Sequence, residues 1–119
     1  MAAGFANHYG SDVLKAFSAG LSPIDKIPEQ TVAVMEELNI DVSGHVPSQY
    51  DPFEAGNFDL IINMAGFKLP GPEPKEAIDW VVPDPYRRPL AAYRLIRDEL
   101  ENRVMRLILD LRRQASKTA

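Results

Sequence analysis

The sequence predicts an α/β domain with a small parallel sheet. Two observations carry this: a near-continuous apolar run of strand length at residues 58–64, and a long apolar stripe at helical spacing that begins near Pro89. Strands separated by helices favour parallel pairing, because a crossover is needed to bring the next strand back in the same direction. At 119 residues with 45% hydrophobic side chains, the chain has the size and apolar content for one core, so residues 1–119 are read as a single domain.

Residues 1–9 (MAAGFANHY) read as a short helix ended by Gly10, since alanine favours the helix and glycine commonly follows the last turn. Residues 13–18 (VLKAFS) alternate like a strand, and Gly20, Ser22 and Pro23 break it. Pro28 suits a first helical position and Glu29 suits the positive end of the helix dipole. Val32, Met35 and Leu38 recur on one face, giving an amphipathic helix over 28–38. Residues 40–49 are polar and irregular, and DPFEAGN has room for one helical turn between Pro52 and Gly56.

The run FDLIINM at 58–64 has the pattern of a strand buried on both faces of a parallel sheet. Residues 66–74 hold two glycines and three prolines and exclude regular structure, after which AIDWVV at 77–82 is the last strand, stopped by Pro83. From Pro89 onward Leu90, Tyr93, Ile96, Leu100, Val104, Leu107, Ile108 and Leu111 are spaced by three or four. Arg94, Arg97, Asp98, Glu101, Arg112 and Arg113 mostly take the other faces. A helix of about six turns is expected, lying along an apolar surface.

Composition removes several functions. A net charge of −4 offers no footprint for nucleic acid or an anionic membrane, and the apolar runs are far shorter than the roughly 20 residues of a spanning helix. With no secretion signal at the N-terminus, the chain is expected to be cytoplasmic. It contains no cysteine, so disulfides, thiolate metal sites and cysteine nucleophiles are all excluded. His8 and His45 lack a second ligand at helical spacing and read as ordinary surface or half-buried histidines, so neither a metal nor another cofactor is expected.

Four segments in order, MAAGFANHYG, FSAGLSP, FDLIINMAG and WVVPDPY, resemble the low-molecular-weight protein tyrosine phosphatase and arsenate reductase superfamily over essentially the whole chain. The resemblance implies a three-layer α/β/α fold. It also implies that the catalytic Cys-x5-Arg loop and the central first strand, which in that family precede the helix matched by MAAGF, are missing, so that the chain is an N-terminally truncated and inactive form. A full-length parent would hydrolyse phosphotyrosine-type phosphomonoesters, the thiolate forming a phosphoenzyme while backbone amides and an arginine hold the phosphate oxygens. The alternative is a genuine non-catalytic scaffold that binds itself or a partner.

One catalytic position transfers. Asp84 in WVVPDPY matches the family's general acid and is held between Pro83 and Pro85, although a plain loop aspartate capping the last helix describes its present role better. Tyr86, Arg87 and Arg88 stand where relatives place substrate-contacting residues, and an exposed turn would look the same. The resemblance narrows further: thioredoxin-coupled arsenate reductases carry two more cysteines, near Ala65 and in the FKLPGPEP region. Neither is present here, which favours a phosphatase parent over an arsenate reductase. With the central strand missing, the flanking strands at 13–18 and 58–64 must either close together or pair between chains; pairing through exposed sheet edges, as a homo-oligomer, is the expectation.

Overall fold

A computed structural model describes residues 1–22 and 26–118, so the break expected at Pro23 lies outside the described residues. Among the described residues three helices form: α1 at Ala2–Tyr9, α2 at Glu29–Glu36 and α3 at Leu90–Thr118. Two strands, β1 at Ile61–Asn63 and β2 at Ala77–Asp79, pair in parallel with Ile62 opposite Ile78. A 3₁₀ turn at Pro52–Asn57 fulfils the single turn expected there, and Asp51 caps it by accepting from the Phe53 N–H at 2.9 Å.

α3 organises the rest. Its 29 residues make about eight turns, longer than the six read from the stripe, and it packs against both α1 and α2. Phe5, Ala6, Met35, Ile40, Leu100, Val104 and Ile108 form one buried cluster, so the core lies between the three helices. Arg97, read as one of the outward-facing charges, is instead only 8% exposed. Its guanidinium donates to the Val34 carbonyl at 3.0 Å and to Glu37 at 2.6 Å, which satisfies the buried cation and ties α3 to α2. At the other end Arg112 donates to the Tyr9 carbonyl and to both oxygens of Asp12, tying α3 to the end of α1.

Gly10 does end α1, but for a reason of space. Its φ of −123° is open to any residue, whereas a Cβ there would lie 2.7 Å from Ile108 Cγ1. The glycine lets the chain turn against the surface of α3. α2 begins at Glu29 with Pro28 just outside it, and it closes with a Schellman motif that the sequence reading missed. The Ile40 N–H reaches the Met35 carbonyl at 3.1 Å and the Asn39 N–H reaches Glu36 at 2.9 Å. Asn39 takes the left-handed φ of 61°, which asparagine tolerates, and Ile40 folds back into the core.

The sheet is smaller than expected. Residues 13–18 do not form a strand, because their backbone groups are satisfied elsewhere: the Asn7 carboxamide donates to the Ala16 carbonyl at 2.9 Å and accepts from the Ala16 N–H at 2.8 Å. The segment's continuation meets residues 48–50 in one parallel bridge, Gly20 to Gln49. Among the described residues no backbone hydrogen bond joins 13–18 to β1, although the Phe17 and Phe58 rings meet edge to face at 5.8 Å between centroids. Only three residues of the 58–64 run are strand, and only Asn63 among them is buried. The expected double burial fails, since Ile61 and Ile62 are only half-buried and Met64 is 42% exposed.

The connection at residues 64–76 is closed by Asn63, which donates to the Phe67 carbonyl at 2.8 Å and accepts from the Ala65 N–H at 2.9 Å. Gly66 and Gly71 take φ values of 86° and 92°, the left-handed region in which glycine is unstrained.

Candidate functional site

The segment after β2 runs out along α3 before turning into it. Trp80 and Val82 pack on the helical core, and Arg103 donates to the Val81 carbonyl at 3.2 Å while stacking on Trp80 at 5.8 Å. The chain then reaches Pro83, Asp84 and Pro85. Asp84 is exposed, and its carboxylate accepts from the Tyr86 N–H at 3.0 Å. This is a local turn, with α3 starting only at Leu90. The expected capping of the last helix by Asp84 is thus replaced by a bond two residues on.

Asp84 and Tyr86 border a cavity of about 540 Å³, together with Met1, Ser18, Thr31 and Ser48. The start of α1 faces this space through Met1. Ser18 is positioned by two contacts: its hydroxyl is 2.9 Å from His45 Nε2, and its carbonyl accepts from the Ser48 hydroxyl at 2.9 Å. His45 is therefore an exposed histidine with a hydroxyl partner. Among the described residues no group of three metal-binding side chains occurs.

The other predicted site residue, Arg87, takes a left-handed φ of 64° and lays its guanidinium 5.3 Å from the Tyr86 ring centre. Tyr86 and Arg87 are thus brought together with Asp84 on one exposed turn, and Tyr86 reaches the cavity rim. Sequence reasoning missed the meeting of Ser18, Ser48 and His45, which come from segments about 30 positions apart and are joined by the Gly20 to Gln49 bridge and by their own side-chain hydrogen bonds. Chemically the site holds a carboxylate and several hydroxyls, and the chain supplies no thiolate to attack a phosphorus or arsenic centre.

Residues 1–69 match the family described as low molecular weight phosphotyrosine protein phosphatase. This chain belongs to that family. The matched residues hold α1, α2 and β1 but end before Asp84, so the general-acid position rests on the WVVPDPY resemblance alone.

Among curated relatives the chain is 32% identical over 112 residues to a glutaredoxin arsenate reductase of Synechocystis sp., covering 91% of this chain and 85% of that protein. It is 30% identical over 97 residues to a putative arsenate reductase of Halobacterium salinarum, covering 81% and 68%. Of the solved structures, an arsenate reductase in the reduced state aligns with a TM-score of 0.77 at 31% identity, over 92% of this chain and 86% of the other. The tyrosine phosphatase Wzb from Escherichia coli K30 in complex with sulphate aligns with a TM-score of 0.81 over 92% and 87%; at 21% identity it shares the fold alone.

These two curated relatives, at 32% and 30% identity, carry arsenate reductase names, the branch that the missing cysteines had placed behind a phosphatase parent. No helix of the described residues is long and apolar enough to cross a membrane.

Proposed function

We propose that this polypeptide, as it stands, is a catalytically silent member of the family that keeps the acid side of the site and the helical scaffold. The observation that carries the reading is the absence of cysteine from the whole sequence, set beside Asp84 at the rim of a cavity lined with hydroxyls. Both phosphate-ester hydrolysis and arsenate reduction in this superfamily begin with attack by a thiolate, and a serine hydroxyl at neutral pH is a far weaker nucleophile. A lone general acid contributes about 10²- to 10⁴-fold, which leaves hydrolysis of an aryl phosphate indistinguishable from buffer.

Which chemistry the scaffold once served is supported from two sides. The names of the relatives favour arsenate reduction, whereas Ala65 and the 66–74 loop offer no thiol for an electron relay. Either way the first step needs a nucleophile from outside this polypeptide.

The test is an assay of the purified chain with p-nitrophenyl phosphate, and with arsenate plus glutathione or a thioredoxin system. No turnover is expected in either. Activity that follows the protein through chromatography and disappears in Asp84→Ala would overturn the reading.

A second reading, that the scaffold is retained to associate with itself, is favoured by the unpaired edge of β1. Among the described residues β1 is hydrogen-bonded to β2 alone.

A further inference from the structure

We infer that residues 66–74 form a strap, hinged at Gly66, that is latched shut where Gly71 lies against Pro52. This device is independent of the catalytic reading above.

The two ends of the strap are fixed. Asn63 holds the Ala65 N–H and the Phe67 carbonyl, and Glu76 rejoins the sheet by accepting from the Ile61 N–H at 2.9 Å. Between these anchors, among the described residues, no backbone hydrogen bond joins residues 68–75 to the rest of the chain. Pro70, Pro72 and Pro74 have no N–H to donate, so the sequence itself withholds such bonds. The ion pair of Lys68 with Glu73, at 2.8 Å, is internal to the strap, and its side chains are 81% and 79% exposed. A pair so exposed does little to hold a segment down. Gly66 takes a left-handed φ of 86°, and nothing lies within 4 Å of where its Cβ would stand, so the strap has room to swing there.

Gly71 is the opposite case. Its φ of 92° is also left-handed, but a Cβ there would overlap the Cβ of Pro52 and lie 3.3 Å from the Pro52 Cα. A flexible side chain could relieve such a contact by changing rotamer. Pro52 cannot, because its ring and backbone are one unit. It also opens the 3₁₀ turn capped by Asp51, and the neighbouring Tyr50 N–H is bonded to the Gly20 carbonyl at 2.8 Å. The receiving surface is therefore rigid, and a residue without a side chain lets the strap seat on it. Leu69 and Pro74 are half-buried to either side of Gly71, while the rest of the strap is exposed.

Seated in this way, the strap is one wall of a cavity of about 480 Å³, whose other walls include Tyr50, Asn63, Asp79 and Val81. None of its lining residues borders the space beside Asp84. Access to this second space is thus set by one glycine contact.

Trypsin reads the latch, because Lys68 lies inside the strap. Cleavage after Lys68 requires the segment to leave the surface, and when opening is fast relative to cutting the rate follows the open population. Each rate is normalised to that of a peptide of residues 60–80 carrying the same substitution. The unmodified chain should be cut more slowly than its peptide. Asparagine tolerates a left-handed φ but brings the clashing Cβ, so Gly71→Asn should speed cleavage about 5- to 150-fold, the population shift of an overpacking cost of about 1–3 kcal/mol. Gly66→Asn, with the same backbone demand and open space around it, should change the rate less than about twofold, and so should Glu73→Gln. In a Pro52→Gly background Gly71→Asn should lose its effect, since the atom it meets is gone.

Cleavage of the unmodified chain as fast as that of its peptide overturns the strap, and this measurement depends on no variant folding. Gly66→Asn or Glu73→Gln matching Gly71→Asn overturns the latch. The helical circular dichroism carried by α1, α2 and α3 should be the same in every variant; its loss in Gly71→Asn would mean that the contact holds the whole fold and would overturn a local device.

Discussion

The helical side and the sheet side of this molecule are built to different standards. α1, α2 and α3 bury a continuous cluster in which Phe5, Met35 and Ile108 are wholly inaccessible, and two arginines, Arg97 and Arg112, tie the helices together through backbone carbonyls as well as carboxylates. On the sheet side β1 and β2 are three residues each, all three residues of β2 are exposed, and Phe67 and Val81 are 60% and 85% exposed.

A helix completes its backbone hydrogen bonds alone and asks of its neighbours only apolar contact. A strand needs a neighbour on each side for its backbone, and two strands do not make an independently stable sheet. The helical layer therefore closes on itself. The strands stay short and depend on whatever pairs with their edges.

This contrast sets the expected effects of substitution. Ile108→Ala removes a fully buried side chain at the meeting of α1 and α3 and is expected to lower stability by about 2–5 kcal/mol in urea unfolding. Ile78→Ala, at a position 38% exposed on β2, should cost well below 2 kcal/mol, the lower end of that range. Equal losses at the two sites would show that the sheet shares the helical core's packing and would break the comparison.

Gly10→Ala is next. The new methyl would meet Ile108 at Cγ1 and Cδ1, 2.7 and 2.8 Å from its carbon, and overpacking of this kind costs about 1–3 kcal/mol. If the close approach to Ile108 were not the glycine's role, alanine would be tolerated at a φ of −123° and stability would not change.

The smallest effect lies in the acid limb of stability. Hydrogen bonds from Arg94, then Arg97, hold Glu37 down to about 2 from the ordinary 4.5. The folded-state value is depressed, so the pair's contribution is fully present above pH 4.5 and is lost as pH falls toward 2. Glu37→Gln should melt below the wild type at pH 6, with the difference shrinking on acidification through that window. A difference independent of pH would mean that Glu37 acts by packing alone. The exposure of the pair to solvent keeps this effect below those at Ile108 and Gly10.

Much of the fold was legible because helices announce themselves locally. The stripe of Tyr93, Leu100, Val104 and Ile108 located α3 and its buried face, MAAGFANHY located α1, and the Pro28 and Glu29 pair placed the start of α2 within a residue. Strand signals did not carry the same weight. The alternation at 13–18 is real in the sequence, yet the Asn7 carboxamide takes Ala16's backbone groups and no strand lies alongside. Of the candidate site, Asp84 and Tyr86 were legible through their proline-framed turn, whereas the meeting of Ser18, Ser48 and His45 carried no local signal.

By itself, then, the sequence determined the absence of a thiolate, the three helices and the family, since these depend on residue identity and short-range periodicity. Tertiary structure alone decided that Arg97 is buried, that Gly10 serves a close approach and not a backbone angle, and that residues 13–18 form no strand. Each of these depends on which distant segment arrives alongside, and no residue's own chemistry specifies its neighbour across 50 or 100 positions.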